Sequence, residues 1–444
     1  MLPNRADTVF TGGTVHTLDA TGRLARALAV RGGRIAAVGA EAEVTPLIGP
    51  RTRVIALDGR SVLPGVNDSH LHGVWLGALW PDLLMDRLTR SAPDHSEARP
   101  AEIRLTTGEQ RRAAILRTGR ILAGLGITSY TEPGLGPGED EGPTGCFGAA
   151  ALRDYATLAE EGRLTARVTA LMLFGELDGP SSVAGLREGL RTFRPPAEVP
   201  GRLRVAGVKI FADGIPPMGT AWTDQPYGDG GHGGLLVEGS SPEALAEMIA
   251  LTHEAGYQAG VHATGGRAVR AAAAAMAKTA GKGRDLRHYI IHGDLAAPDT
   301  LAVMARAGIG LTTQPGIAVA TADMLAAALG PEALRRAWPL REALAAGVRL
   351  CLSSDAPVVT PDWRLTVAQA TARGLTLDAA LRACTVVPAW QDGAEGWKGT
   401  LEPGKAADLC VLGGSLREVE PAALPEVPVV LTMVDGRIVH EAGV

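Results

Sequence analysis

The chain has 444 residues, a net charge of −5 and 46% hydrophobic residues, which is ample for a large core and too apolar for a disordered segment. A charge balance this close to neutral, without basic clusters, argues against a nucleic-acid or membrane-surface protein. The four cysteines, Cys146, Cys351, Cys384 and Cys410, are scattered, which fits a reducing compartment better than a disulfide framework.

Residues 1–10 carry Arg5 and Asp7 and no apolar run, so no signal peptide is expected. No uncharged apolar stretch approaches a membrane span. The expectation is a cytoplasmic protein with a small-molecule substrate and no nucleic-acid or membrane partner, with homo-oligomerisation left open.

Residues 1–61 read as short strands and turns. Apolar stretches at 9–18 and 28–38 are followed by one at 54–63, and Arg31-Gly32-Gly33-Arg34 is a hairpin signal. Residues 398–444 look similar, with β-rich runs at 408–412 and 429–434 and a turn at Asp435-Gly436. Two β-rich ends around a different middle predict one small β domain made from both termini.

The middle, residues 62–397, alternates short apolar runs with helical patterns, the sign of βα units and a parallel sheet. Eight strands are predicted, ending near His70, Thr131, Phe174, Phe211, His262, His292, Gln314 and Ser354. Helical patterns run over 109–125, 242–255 and 300–307. The expected fold is α/β, a (β/α)8 TIM barrel rather than a six-stranded doubly wound sheet. Chemistry in such a barrel sits at the C-terminal ends of strands, and metal-capable residues stand at the ends of strands one, four, five, six and eight.

Strand one ends in His70-Leu71-His72, and alternation puts both imidazoles on one face. The bland alternative is two hydrogen-bonded core histidines. Strand four carries Lys209 in an apolar run, and the chain has only five lysines among 43 basic residues. A lysine buried there needs a partner or a depressed pKa. It could contact substrate, react with CO2 to give an anionic carbamate ligand, or snorkel to solvent. Strands five and six each end in one histidine, His262 and His292, and strand eight ends in Asp355. Asp355 can bind metal and accept a proton from water, or serve as a turn residue beside Pro357. Together the set fits an ion such as Zn2+, which takes imidazole and carboxylate ligands and activates water near neutral pH. Position alone adds Glu132, Asp213, Trp222 and Gln314 as substrate contacts, with Glu132 also a spare metal ligand. The Gly- and Pro-rich residues 215–235 are long enough for a lid.

The stretch from Leu63 to His72 (Leu-Pro-Gly-Val-Asn-Asp-Ser-His-Leu-His) resembles the strand-one signature of the amidohydrolase superfamily. Val208-Lys209-Ile210-Phe211-Ala212-Asp213-Gly214, Val261-His262-Ala263-Thr264-Gly265 and Ser354-Asp355-Ala356-Pro357 are similar to motifs of amidohydrolase family 3, whose members include N-substituted formamide deformylases. So are residues 33–39 and 399–409. The resemblance implies a β-sandwich from both chain ends around a metal-bearing barrel. It implies His70 and His72 on one ion, His262 and His292 on another, Lys209 bridging as a carboxylated lysine, and Asp355 as ligand and general base. The cofactor would be two Zn2+ per chain, or one. The implied activity is hydrolysis of a C–N bond other than a peptide bond, in an amide, N-substituted formamide or cyclic amide. Two departures stand out: Gly266 where the subgroup often has Asp, and only a modest segment between His72 and strand two. A mononuclear deaminase of an aminated heterocycle is the alternative. Ala263, Thr264, Gly265 and Gly266 follow His262 where such enzymes place a glutamate. A non-catalytic regulatory protein is the third option, though no ligand position looks lost.

Overall fold

The computed structural model describes residues 5–86 and 103–443. Part of the segment between His72 and strand two, residues 87–102, therefore lies outside the described residues. Eight parallel strands form the central sheet: Val66–Asp68, Ile127–Leu135, Arg167–Leu173, Leu203–Phe211, Gln258–Ala263, Tyr289–His292, Gly310–Thr313 and Arg349–Leu352. Each pairs with the next in chain order, as the predicted strand ends require. The first and last strands close the barrel through their extensions. The Asp355 N–H donates to the His70 carbonyl at 2.8 Å, and the His72 N–H donates to the Ala356 carbonyl at 2.8 Å. Asp68 fastens the same seam, accepting from the Ser354 N–H at 3.1 Å and its hydroxyl at 2.6 Å. The seam thus brings His70, His72 and Asp355 side by side.

The helices between strands are capped as their sequences dictate. Gly108–Gly124 starts at Thr107, whose hydroxyl accepts from Gln110 N–H while the Gln110 side chain returns to the Thr107 N–H. Pro242–Glu254 starts from Ser241 with proline in the first turn. Inside the barrel, side chains from neighbouring strands need room. A Cβ on Gly260 would sit 2.7 Å from Leu171 Cδ1 and 3.0 Å from the Tyr289 ring, so only glycine lets strand five pass them.

The two chain ends build two further sheets. One joins Arg34–Gly39, Ala27–Arg31, Thr8–Thr11 and Arg53–Ala56. The other has six strands and interleaves the ends: Ser61–Pro64 pairs antiparallel with Leu409–Leu412 and parallel with Thr14–His16. One apolar cluster holds Phe10, Leu28 and Ile35 with Leu409, Val411 and Met433. Neither end could bury these faces alone. No helix among the described residues is long and apolar enough to cross a membrane.

The start of strand five rests on a histidine pair. His288 Nδ1 accepts the Ala259 N–H at 2.9 Å, so its Nε2–H faces His253 Nδ1, also at 2.9 Å. His253 Nε2–H then donates to the Lys282 carbonyl at 2.5 Å. Burial, and then the neighbouring His253, lower the His288 pKa to about 4. Between about 6.5 and 4 the unfolded chain takes the proton and the folded one does not. Stability is therefore complete above about pH 6.5 and falls as the pH drops. The full loss from this group is on the order of 3 kcal/mol, with about 2 kcal/mol gone by pH 5. Urea unfolding at pH 7.5 and 5 should show that difference shrinking by about 2 kcal/mol in His288→Gln. Parallel profiles would remove His288 from the acid response.

Candidate metal centre

Six side chains meet at the C-terminal end of the barrel, and all are buried: His70, His72, Lys209, His262, His292 and Asp355. His70 Nε2 and His72 Nε2 stand 3.1 and 3.2 Å from the same oxygen, Asp355 Oδ1. Ligand atoms of these three residues lie within 4.8 Å of one another. Atoms sharing a tetrahedral zinc at about 2.0–2.1 Å would stand about 3.3 Å apart. The imidazole rings continue as a file, with centroids 5.5 Å apart from His70 to His292 and 4.5 Å from His292 to His262.

Buried polar atoms ordinarily find hydrogen-bond partners. Here His70 Nδ1, His72 Nδ1, Asp355 Oδ1 and Glu132 Oε1 have none among the described residues. Such a gathering of unmet donor-capable nitrogens and carboxylate oxygens fits a cation. Burial, followed by the Lys209 charge, lowers the pKa of His70 and of His262 to about 3. Burial and the charge of His262 likewise lower that of His292. Neutral imidazoles are the ligating form. His72 differs: burial disfavours its charge, but the adjacent carboxylates of Asp355 and Glu132 outweigh this and raise it to about 9. A site that draws a proton onto His72 is short of positive charge.

Backbone strain accompanies the centre. His292 and Asp355 both adopt left-handed conformations, φ 72° and 59°, which cost of order 1–3 kcal/mol each in non-glycine residues. The Asp355 strain is tied into the seam by its bond to His70.

Lys209 is 2% exposed, and no carboxylate among the described residues forms an ion pair with it. Its Nζ lies 4.6 Å from the Phe211 ring centroid. Burial lowers its pKa to about 8, against the pull of Asp355 and Asp178. The alternative of snorkelling to solvent is therefore corrected: the side chain stays inside the barrel.

The four expected substrate contacts fare differently. Glu132 is fully buried, and its Oε2 accepts from Gly73 N–H at 2.5 Å, Val74 N–H at 3.3 Å and the Tyr155 hydroxyl at 2.7 Å. Its other oxygen sits 3.6 Å from His72 Nδ1, so Glu132 braces His72 and could serve as a further ligand. Gln314 turns its polar atoms to neighbouring strands. It is buried, accepts from His292 Nδ1 at 2.8 Å and donates to Ser353 at 3.0 Å, which fixes the His292 tautomer and leaves Nε2 for the centre. Asp213 is held by backbone. Both its oxygens are consumed by the N–H groups of Trp222, Thr264 and Gly265 at 2.8–3.0 Å. It clamps the turn after His262, where a Cβ on Gly265 would lie 2.2 Å from the Trp222 carbonyl. Trp222 is partly buried and packs on the core. The expected lid is anchored by the Thr223 to His232 and Leu236 to Ala212 backbone bonds, and the Gly214 carbonyl accepts from His262 Nε2 at 3.1 Å.

Sequence inspection missed Asp68, which secures the seam, and Asp178, which acts on Lys209 from the loop after strand three. Asp68 had a signal, because it shares the alternation of His70 and His72. Asp178 had none beyond its place in a loop.

A model of the amidohydrolase family matches residues 83–440. The N-substituted formamide deformylase of Arthrobacter pascens is 26% identical over a 542-residue alignment covering 98% of both chains. That alignment is longer than this chain, so the relative carries insertions absent here. An uncharacterized metal-dependent hydrolase from Pyrococcus horikoshii shares the fold with a TM-score of 0.72 at 19% identity, over 98% of this chain and 100% of that one. An adenosine deaminase from Xanthomonas campestris with bound zinc does so with a TM-score of 0.62 at 17% identity, over 99% and 94%.

Proposed function

The chain belongs to the amidohydrolase family, and on that footing we propose that this metal-dependent hydrolase cleaves a C–N bond outside peptides, with N-substituted formamides the first class to test and amides and cyclic amides beside them. The convergence of His70, His72 and Asp355 around one point carries the reading. Similarity to a formamide deformylase along 98% of both chains supports the substrate class.

His70, His72 and Asp355 would hold one divalent ion, for which we propose zinc, and His262 and His292 a second. Lys209 would lie between them as a carbamate. Such ions, when bound, polarise a carbonyl and make water nucleophilic near neutral pH. Asp355 does the proton work: its Oδ1 takes a proton from the attacking water and returns it to the leaving nitrogen. A formamide and water thus give an amine and formic acid. With a pKa of about 8, Lys209 keeps roughly a tenth of its amine neutral at pH 7. The neutral amine adds CO2 and releases a proton. Gln314 holds His292 in the required tautomer, and the Glu132 carboxylate stands beside His72. The segment Ala263 to Gly266 offers no carboxylate for the proton donation that a deaminase needs.

The test pairs metal analysis of protein purified without chelator with two substrate panels. About two divalent ions per chain and amine release from formamides are expected. About one ion with ammonia release from aminated heterocycles would replace this reading by the deaminase. No metal after reconstitution with metal and bicarbonate would end the catalytic reading.

A further inference from the structure

A cavity of ≈ 810 Å³ opens beside the catalytic face, between the loops after strands five and six and the helices Ala322–Arg336 and Leu340–Ala346. Its size is that of a small-molecule site. None of the six residues of the metal centre lines it. One wall is apolar, with Leu295, Ala333 and Ala337, and Trp338 belongs to the same cluster.

The other wall is cationic. Arg373 is half-buried, and its guanidinium stands 5.4 Å from the Trp338 ring centroid. No carboxylate or other side-chain hydrogen-bond acceptor among the described residues meets it. Arg335 lines the same cavity and is also without an acidic partner among the described residues. Arg341 lies against the next residue: a Cβ on Gly374 would be 3.6 Å from its Cδ. Among the described residues it pairs with Glu342 alone, at 3.7 Å. The acid on the far side, Asp224, is already taken by Arg270 at 3.0 Å.

A partly buried guanidinium normally has a counter-ion, because desolvating its charge costs free energy that only a partner repays. Two other partly buried arginines of this chain have theirs, Arg287 with Glu395 and Arg364 with Asp362. The backbone of Trp338 is left-handed, φ 51°, which is unusual for a bulky side chain. Its N–H donates to the Asp294 carbonyl at 2.7 Å, which fixes the backbone at this point of the cavity lining. Strain of this kind collects at ligand sites.

We infer that this cavity is a second binding site, for a small organic carboxylate whose anion pairs with Arg373 and Arg335 and whose apolar body lies against Trp338. The planar fork of arginine suits a carboxylate, and the indole suits a flat or alkyl body.

Calorimetric titration of the metal-loaded protein with benzoate tests this without any substrate, so its failure is separable from failure of the proposed hydrolysis. One benzoate site is expected, with no binding of benzyl alcohol at the same concentrations. Arg373→Gln should weaken benzoate about tenfold or more while metal content stays unchanged. Arg335→Gln, at an exposed position that leaves folding intact, should weaken it by a smaller factor. Benzoate bound equally well by wild type and both variants would overturn the site, because the anion would then be reading the metal centre. Absence of benzoate binding would overturn it as well.

Discussion

Asp355→Asn keeps most of its metal and loses roughly 10²- to 10⁴-fold in kcat, the range that a positioned general base supplies. Asparagine preserves the volume and one oxygen donor. The backbone bond from residue 355 to His70 at 2.8 Å also survives, so the left-handed conformation and the closure of the barrel persist. What disappears is the ability to take a proton. In the native protein Asp355 Oδ1 stands 3.1 and 3.2 Å from His70 and His72 and has no aligned hydrogen-bond donor among the described residues. His70 and His72 hold its carboxyl well below the usual range, although burial alone would raise it. It is therefore ionised and available across neutral pH. Metal analysis alongside kcat and KM checks the prediction. Turnover within tenfold of wild type, with metal intact, takes Asp355 out of the base role.

Lys209→Ala loses one ion or both, and its turnover falls with occupancy, roughly 10²-fold or more. The lysine is buried, lacks an ion-pair partner among the described residues and lies beside strands five and three through direct pairing. Removing it leaves a void at the centre. Formate, acetate or propionate fits that void and supplies the carboxylate oxygens that a carbamate would have offered, so metal binding and turnover both return. Lys209→Met fills the void with an apolar chain of similar length, and no acid rescues it. Unchanged metal content in Lys209→Ala would leave the lysine a substrate contact instead of a bridge.

Much of this site was legible before folding. The six central residues stand at strand ends, and strand ends are readable because alternation and apolar runs are local properties of the backbone. Lys209 stood out through composition, since arginine supplies nearly all other positive charge. The roles of Gln314 and Asp213 were not legible. Each sits at a strand end and looks like a pocket residue, yet His292 and the turn after His262 consume their polar atoms. Which way a strand-end side chain turns depends on donors from other strands. The cationic cavity was equally hidden, because Arg335, Arg341 and Arg373 come from separate segments and no spacing rule connects them.

The sequence by itself determined the order of the elements, the eightfold βα repeat, the pairing of both chain ends and the identity of the metal-capable residues. Tertiary structure alone decided that residues 68, 70 and 72 meet residues 354 and 355 across the seam of the barrel, that Lys209 stays inside with no ion-pair partner among the described residues, and that Arg373 faces a cavity. The division follows the physics: periodicity is written in neighbouring residues, whereas ligand geometry and electrostatics depend on distances of a few ångströms between segments hundreds of residues apart, fixed only when the barrel closes.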